Sequence, residues 1–205
     1  MARPRKSPRE RLLDAAAKEF AAHGFAGARI ESIGNRAKMN KQLVYHYFGN
    51  KQAIYEAVFE HIIAGNISLA FPPGEDRTYS ETALEELRLN NSKETAPFHR
   101  LLMFESLAGE RGTQLEAERR AVYEKLVERV RASQDRGEID PSVDPALFYL
   151  AILSMQIMPA ILPNVVQLAT GRDPHSEEFL DQWGELLAEM IERFGPTSAA
   201  EADRE

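Results

Sequence analysis

Ala37-Lys38-Met39-Asn40-Lys41-Gln42-Leu43-Val44-Tyr45-His46-Tyr47-Phe48-Gly49-Asn50-Lys51 is the stretch that decides the fold. Asn40 has the side chain to cap a helix over Lys41 to Phe48, and Asn50 to cap another from Lys51 to about Leu69. Upstream, Ile30, Ile33 and Ala37 share one face of a short helix running from Ala28 or Arg29 to Ala37. Two short helices joined by a short turn predict a helix-turn-helix, whose second helix enters the major groove of DNA. At 100° per residue Val44 and Phe48 fall together and pack inward with Met39, Ile30 and Ile33. Lys41, Gln42, Tyr45 and His46 are left facing outward. Lysine donates to guanine O6 and N7, glutamine pairs with adenine N6 and N7, and tyrosine and histidine reach phosphates.

Working outward, the pattern is helix after helix. Ser7 or Pro8 opens an amphipathic helix with Leu12, Ala16 and Phe20 in register, and Gly24 closes it as a C-terminal cap. After a break at Phe71-Pro72-Pro73-Gly74, Thr78 and Glu81 have capping-box spacing for a helix to about Asn90. Pro97 sits in the first turn of the next helix, which ends near Gly109. A long helix spans Thr113 to Arg136 before Gly137, with Leu115, Val122, Leu126 and Val130 in its stripe. Asp144-Pro145 starts another, and the last runs from about Ser176 to Phe194, ahead of a polar end to Glu205. No alternating strand pattern and no internal repeat interrupts this all-α reading.

Residues 145–171 carry no formal charge, a length that could cross a bilayer. Ser154, Gln156, Asn164 and Gln167, with Pro159 and Pro163, interrupt the segment. They favour a buried helix, kinked or broken at its prolines, that packs on several faces as in a bundle centre or a subunit interface, with no membrane contact.

The chain has 205 residues, 43% of them hydrophobic, enough apolar surface to bury a core and exclude wholesale disorder. It has no cysteine, which excludes disulfides, thiolate nucleophiles and Cys-ligated zinc and fits a reducing compartment. The net charge of -7 argues against nucleic acid only until it is mapped. Residues 1–51 hold eleven Lys or Arg against four Asp or Glu, a net +7, and the remainder carries -14. A basic end on an acidic body suits a protein of which one end meets a polyanion. The basic start runs into charged residues, so no signal peptide is expected.

Arg11-Leu12-Leu13-Asp14-Ala15-Ala16, Phe20, Gly24-Phe25, Ile33, Ala37 and Val44-Tyr45-His46-Tyr47-Phe48-Gly49-Asn50-Lys51 together resemble the TetR/AcrR family of bacterial transcriptional regulators. The resemblance covers about a quarter of the chain at motif level; the later helices agree in number, order and approximate length. It implies an N-terminal three-helix helix-turn-helix domain over residues 1–51, with its basic arm. It also implies a C-terminal helical ligand-binding and dimerisation domain over 52–205. By the same resemblance Asn40 falls where a helix-capping serine is usual and Lys41 and Gln42 where bases are read. Tyr45, Tyr47 and Lys51 fall where phosphates are held. The sequence departs from the pattern at Tyr47 for histidine, at Arg29 for threonine and at Lys38 for the turn glycine. Tyr47 still donates to phosphate, and Arg29 adds a cation. A positive φ at Lys38 would cost about 1 kcal/mol. Arg3, Arg5 and Lys6 form either an arm for the minor groove and phosphates or a solubilising tail.

For the ligand, the resemblance implies a pocket among helices four to eight and a homodimer through the last two long helices. Candidate lining residues are His99, Phe104, Glu105, Tyr123, Met155 and Gln156, with Met103 and Met158 nearby; no ligand class follows from them. The expected function is a ligand-responsive, cytoplasmic repressor that binds a pseudo-palindromic DNA operator without a cofactor or metal. One alternative is a helix-turn-helix protein without a small-molecule ligand, switched by a protein partner. An all-helical enzyme is the weaker alternative, since the chain has no H-E-x-x-H, P-loop or G-x-S-x-G and its five histidines lack metal-ligand spacing.

Overall fold

The computed structural model describes residues 6–70, 77–108 and 116–196, and within these every regular element is a helix. In chain order they are α1 (Pro8–Gly27), α2 (Ile30–Ala37), α3 (Lys41–Phe48), α4 (Lys51–Ala70), α5 (Tyr79–Asn90), α6 (Ala96–Ala108), α7 (Glu116–Asp135), α8 (Pro145–Ile161), α9 (Pro163–Thr170) and α10 (Glu177–Glu192). The expected break at 71–74, the boundaries at Gly109 and Thr113, Leu115, and the polar tail lie outside the described residues, as do Arg3 and Arg5.

Two compact units form, one from α1–α4 with α6, the other from α5 with α7–α10. In the first, Ser7 and Glu10 close a capping box around the start of α1. Gly24, expected to close the helix as its cap, is instead a kink within it, at φ 64° and ψ 179°, and a further turn follows before α1 ends at Gly27. A side chain at Gly24 would also meet Phe104 of α6, whose ring lies 3.1 Å from where a Cβ would sit. Leu12, Leu13, Ala16 and Phe20 of α1, Ile30 and Ile33 of α2, Val44 of α3 and Ile54, Val58 and Phe59 of α4 form one buried cluster with Leu101 of α6. Edge-to-face contacts among Phe20, Phe25, Tyr55 and Phe59 fill its centre. Glu19 is buried in this unit, where its carboxylate accepts the Arg29 backbone N–H at 3.2 Å and faces Arg36 at 3.8 Å. It thereby ties α1 to the entry of α2.

In the second unit Tyr79, Ala83 and Leu87 of α5, Val130 of α7, Phe148, Tyr149 and Ile152 of α8, and Leu187 and Ile191 of α10 make the core. Thr78 and Glu81 form the expected capping box, and Asp144 caps α8 with Pro145 at its first position. A polar network crosses this core. The Gln156 amide donates at 3.0 Å to both the Ala83 carbonyl and the Glu86 carboxylate, and Glu86 pairs with Arg129 at 2.7 Å. Burial raises the Tyr79 hydroxyl to about 12 and pushes Tyr149 up as well, so both hydroxyls stay protonated at neutral pH.

The uncharged segment is two helices, not one, bent by 87° between α8 and α9. No single helix among the described residues is long and apolar enough to cross a membrane. The break comes at Pro163, which starts α9, whereas α8 runs through Pro159. Proline removes the N–H that would bond the carbonyl four residues back, here that of Met155. That carbonyl accepts instead from the indole N–H of Trp183 on α10, at 2.9 Å, so the helix continues without an orphaned acceptor.

Candidate nucleic-acid interface

The α2–turn–α3 unit is assembled by local rules. Lys38 takes the left-handed conformation, φ 58° and ψ 46°, where glycine is favoured, and is the one non-glycine residue with positive φ among the described residues. Its N–H and that of Met39 return to the carbonyls of Asn35 and Gly34, closing the turn. Asn40 then caps α3, its side-chain oxygen accepting the Leu43 N–H at 2.8 Å. With Val44 fully buried and Phe48 half-buried, Lys41, Gln42, Tyr45, His46 and Tyr47 are exposed. The first four are the outward residues of the helical-wheel reading, and Tyr47 joins them. Five polar or amphipathic side chains on one short, rigid, N-capped helix present donors of the kind that read base edges and hold phosphates.

Several cations around α3 are already oriented. The Lys41 ammonium donates to the Glu31 carboxylate at 2.5 Å and lies 5.8 Å from the centre of the Tyr45 ring. That hydrogen bond lowers the Glu31 pKa and raises that of Lys41, so both remain charged at neutral pH. Lys51, at the start of α4, donates to the Ala26 carbonyl at 3.2 Å and sits over the Phe25 ring at 4.9 Å, which fixes its stem against the end of α1. Arg29 is exposed at the N-terminus of α2. Lys6 pairs with Asp14, and Arg9 lies over the Phe48 ring. Arg11, Lys18, Arg36 and Lys38, with Asp14, line a concavity of about 520 Å³ beside the turn. Sequence reasoning missed this cluster and Glu31, because the cations come from two helices and the acid lies ten residues from its partner.

A family profile described as "Bacterial regulatory proteins, tetR family" matches residues 12–58, and one described as "Tetracyclin repressor-like, C-terminal domain" matches 88–193. The HTH-type transcriptional repressor SCO4008 of Streptomyces coelicolor is 33% identical over 172 residues, 83% of this chain and 87% of that protein. The chain belongs to the TetR family. Among solved structures of similar fold, the transcriptional regulator SCO4942 of Streptomyces coelicolor superposes with a TM-score of 0.73 at 25% identity, over 93% of this chain and 99% of that one. AibR, crystallised with isovaleryl coenzyme A and operator DNA, superposes at 0.66 and 18% identity, over 93% of this chain and all of that one. The protein is thus a DNA-binding helix-turn-helix transcriptional regulator, and its family and relatives are regulators rather than enzymes.

As in the TetR-family reading of the sequence, a helical body follows the head, but the six candidate ligand residues divide between the two compact units. His99, Phe104 and Glu105 lie on α6, in the unit with the head. His99 is buried, with no hydrogen-bond partner at Nδ1, and burial lowers its pKa. Phe104 packs on Gly24. Tyr123 of α7 is exposed, whereas Met155 and Gln156 of α8 are half-buried and buried. The Met155 carbonyl is engaged by Trp183, and the Gln156 amide by α5.

Proposed function

We propose that the protein is a homodimeric repressor that binds a pseudo-palindromic DNA operator and leaves it when a small molecule binds its helical body. The observation that carries this reading is the exposed face of α3, where Lys41 and Gln42 stand at the helix start and Tyr45, His46 and Tyr47 follow. Lys41 and Gln42 read bases, and Tyr45, His46, Tyr47, Lys51 and Arg29 hold phosphates, with Asn40 fixing the helix start. Arg3 and Arg5 extend the basic arm. Residues 1–51 are the DNA-binding domain and 52–205 the ligand-binding and dimerisation domain, acting in the bacterial cytoplasm.

Dimerisation through α8 and α10 is supported by the apolar side chains they leave in solvent. Leu147 and Leu150 of α8 are 67% and 52% exposed and Leu186 of α10 is 43% exposed. Two-fold symmetry then demands two half-sites about one helical turn, or a multiple of it, apart. A relative that is a repressor supports repression, and AibR with isovaleryl coenzyme A and operator DNA supports a body that accepts a small molecule. Release requires only that the ligand prefer the conformation that does not bind DNA, and a coupling of about 1 to 3 kcal/mol is enough.

Selection of duplexes from random DNA by the full chain, followed by sedimentation of the complex, tests the reading. A two-fold-symmetric sequence bound by an even number of chains is expected, and an asymmetric site bound by one chain would overturn it. A thermal-shift screen of metabolites, with each hit tested for release of that DNA, tests the sensor role. Stabilisers that leave DNA binding untouched would count against it.

A further inference from the structure

We infer that Glu31 is a second base-reading residue, which acts with Lys41 to select a G·C pair in each half-site. This rests on the assignment of Lys41 to the major groove. The two side chains come from different helices, α2 and α3, yet meet at 2.5 Å, and both are exposed, 58% for Glu31 and 50% for Lys41. They therefore present to solvent an ammonium and a carboxylate side by side.

The edge of a base pair carries the matching arrangement. In a G·C pair the guanine offers N7 and O6 as acceptors, and the neighbouring cytosine offers the N4 amino group as a donor. O6 and N4 are hydrogen-bonded to each other, so they stand about 3 Å apart, close to the separation of the protein pair. The Lys41 ammonium meets O6 and N7, and the Glu31 carboxylate accepts the N4 hydrogen not used in base pairing. A T·A pair in the same orientation also offers an acceptor, thymine O4, beside a donor, adenine N6. It differs at both ends. The thymine methyl then lies under the ammonium, and adenine N7 faces the carboxylate with a second acceptor. In the two remaining orientations the carboxylate faces an acceptor and the ammonium a donor.

The pair is cheap to open, because both side chains are exposed, exposed ion pairs are only weakly held, and the one further contact of Lys41, over the Tyr45 ring at 5.8 Å, lies on the same outward face of α3. Glu31 lies in the first turn of α2, where an acidic side chain complements the helix dipole, so its place does not by itself require a DNA role. The distinguishing property is base preference. A carboxylate that only serves α2 or repels phosphates changes the affinity for all sequences by one common factor.

The test uses the full chain, an operator selected from random duplexes, and every single base-pair replacement in one half-site. Wild type, Glu31→Ala, Glu31→Gln and Lys41→Ala are compared, each checked for native helix content by circular dichroism. Wild type should show one position at which G·C is preferred. Glu31→Ala should lower the preference for G·C over T·A there about tenfold. Glu31→Gln should move it toward T·A, since an amide pairs with adenine N6 and N7. If both Glu31 variants rescale binding to all sequences equally while Lys41→Ala still relaxes one position, the Glu31 assignment fails and the recognition helix stands. If Lys41→Ala also leaves every base preference intact, the recognition-helix assignment fails and the Glu31 role fails with it.

Discussion

Pro159 and Trp183 make a pair whose interdependence can be measured. Proline at 159 leaves the Met155 carbonyl without its intrahelical donor, and the Trp183 indole N–H supplies the replacement at 2.9 Å. Trp183→Phe keeps an aromatic ring to stack on Phe179 but deletes the donor. A buried acceptor left unpaired costs about 1 to 3 kcal/mol, and the smaller ring adds a packing loss. In a Pro159→Ala background the new backbone N–H can bond the same carbonyl, so only the packing loss should remain. The double-mutant cycle should therefore show a coupling of about 1 to 2 kcal/mol, with Trp183→Phe costing less when alanine stands at 159. Urea unfolding of the four proteins, followed by far-ultraviolet circular dichroism because Trp183 is the only tryptophan, measures it. Equal costs of Trp183→Phe in both backgrounds would refute the account of how α8 passes its proline.

Other residues test other joints. Lys38→Gly relieves a left-handed strain of about 1 to 2 kcal/mol but adds unfolded-state entropy. A net gain of about 0.5 to 1 kcal/mol over Lys38→Ala is expected in urea midpoints. Glu19→Ala should cost about 2 kcal/mol, because the Arg29 N–H loses its acceptor in a buried site, and Glu19→Gln should cost less because an oxygen remains. For His99, burial lowers the folded-state pKa below the unfolded value near 6.5, so the unfolded chain binds the proton more readily. Its contribution to stability is whole above about pH 6.5 and is lost as pH falls through the unfolded pKa toward the folded one. The decline in unfolding free energy from about pH 7 to 5 should be shallower in His99→Gln, and identical slopes would remove His99 as its source.

The reading head was legible because what defines it is local. Asn40, Gly49 and Asn50 act on their own neighbours within four residues, and the alternation of Val44 and Phe48 with polar residues needs no knowledge of the rest of the chain. The departure at Lys38 was also readable, since a lysine at a turn position that favours glycine must take the left-handed conformation or change the turn, and it takes it. Prolines in the uncharged segment were harder. Pro159 and Pro163 look alike in sequence, and the partner that accompanies passage through Pro159, the Trp183 indole on the Met155 carbonyl, comes from another helix twenty-four residues on. Glu19 and Glu31 escaped for the same reason: each is defined by a partner from another helix. The glycine rule marks Gly24 as the helix end but not that a further turn follows it, nor that the Phe104 ring of α6 lies against it, 3.1 Å from where a Cβ would sit.

The measurement that bears most directly on the central claim is the ratio of affinities for selected operator and random duplex, taken at several salt concentrations for wild type and for Lys41→Ala/Gln42→Ala. Wild type should bind its operator at least about a thousandfold tighter than random DNA. The double variant should lose about 2 to 6 kcal/mol of that discrimination while keeping its non-specific binding and its salt slope. Lys51→Ala, which removes the proposed phosphate contact, should weaken both DNAs alike and lower the slope by about 1. A double variant that keeps the wild-type ratio would contradict the assignment of α3 as the helix that reads DNA.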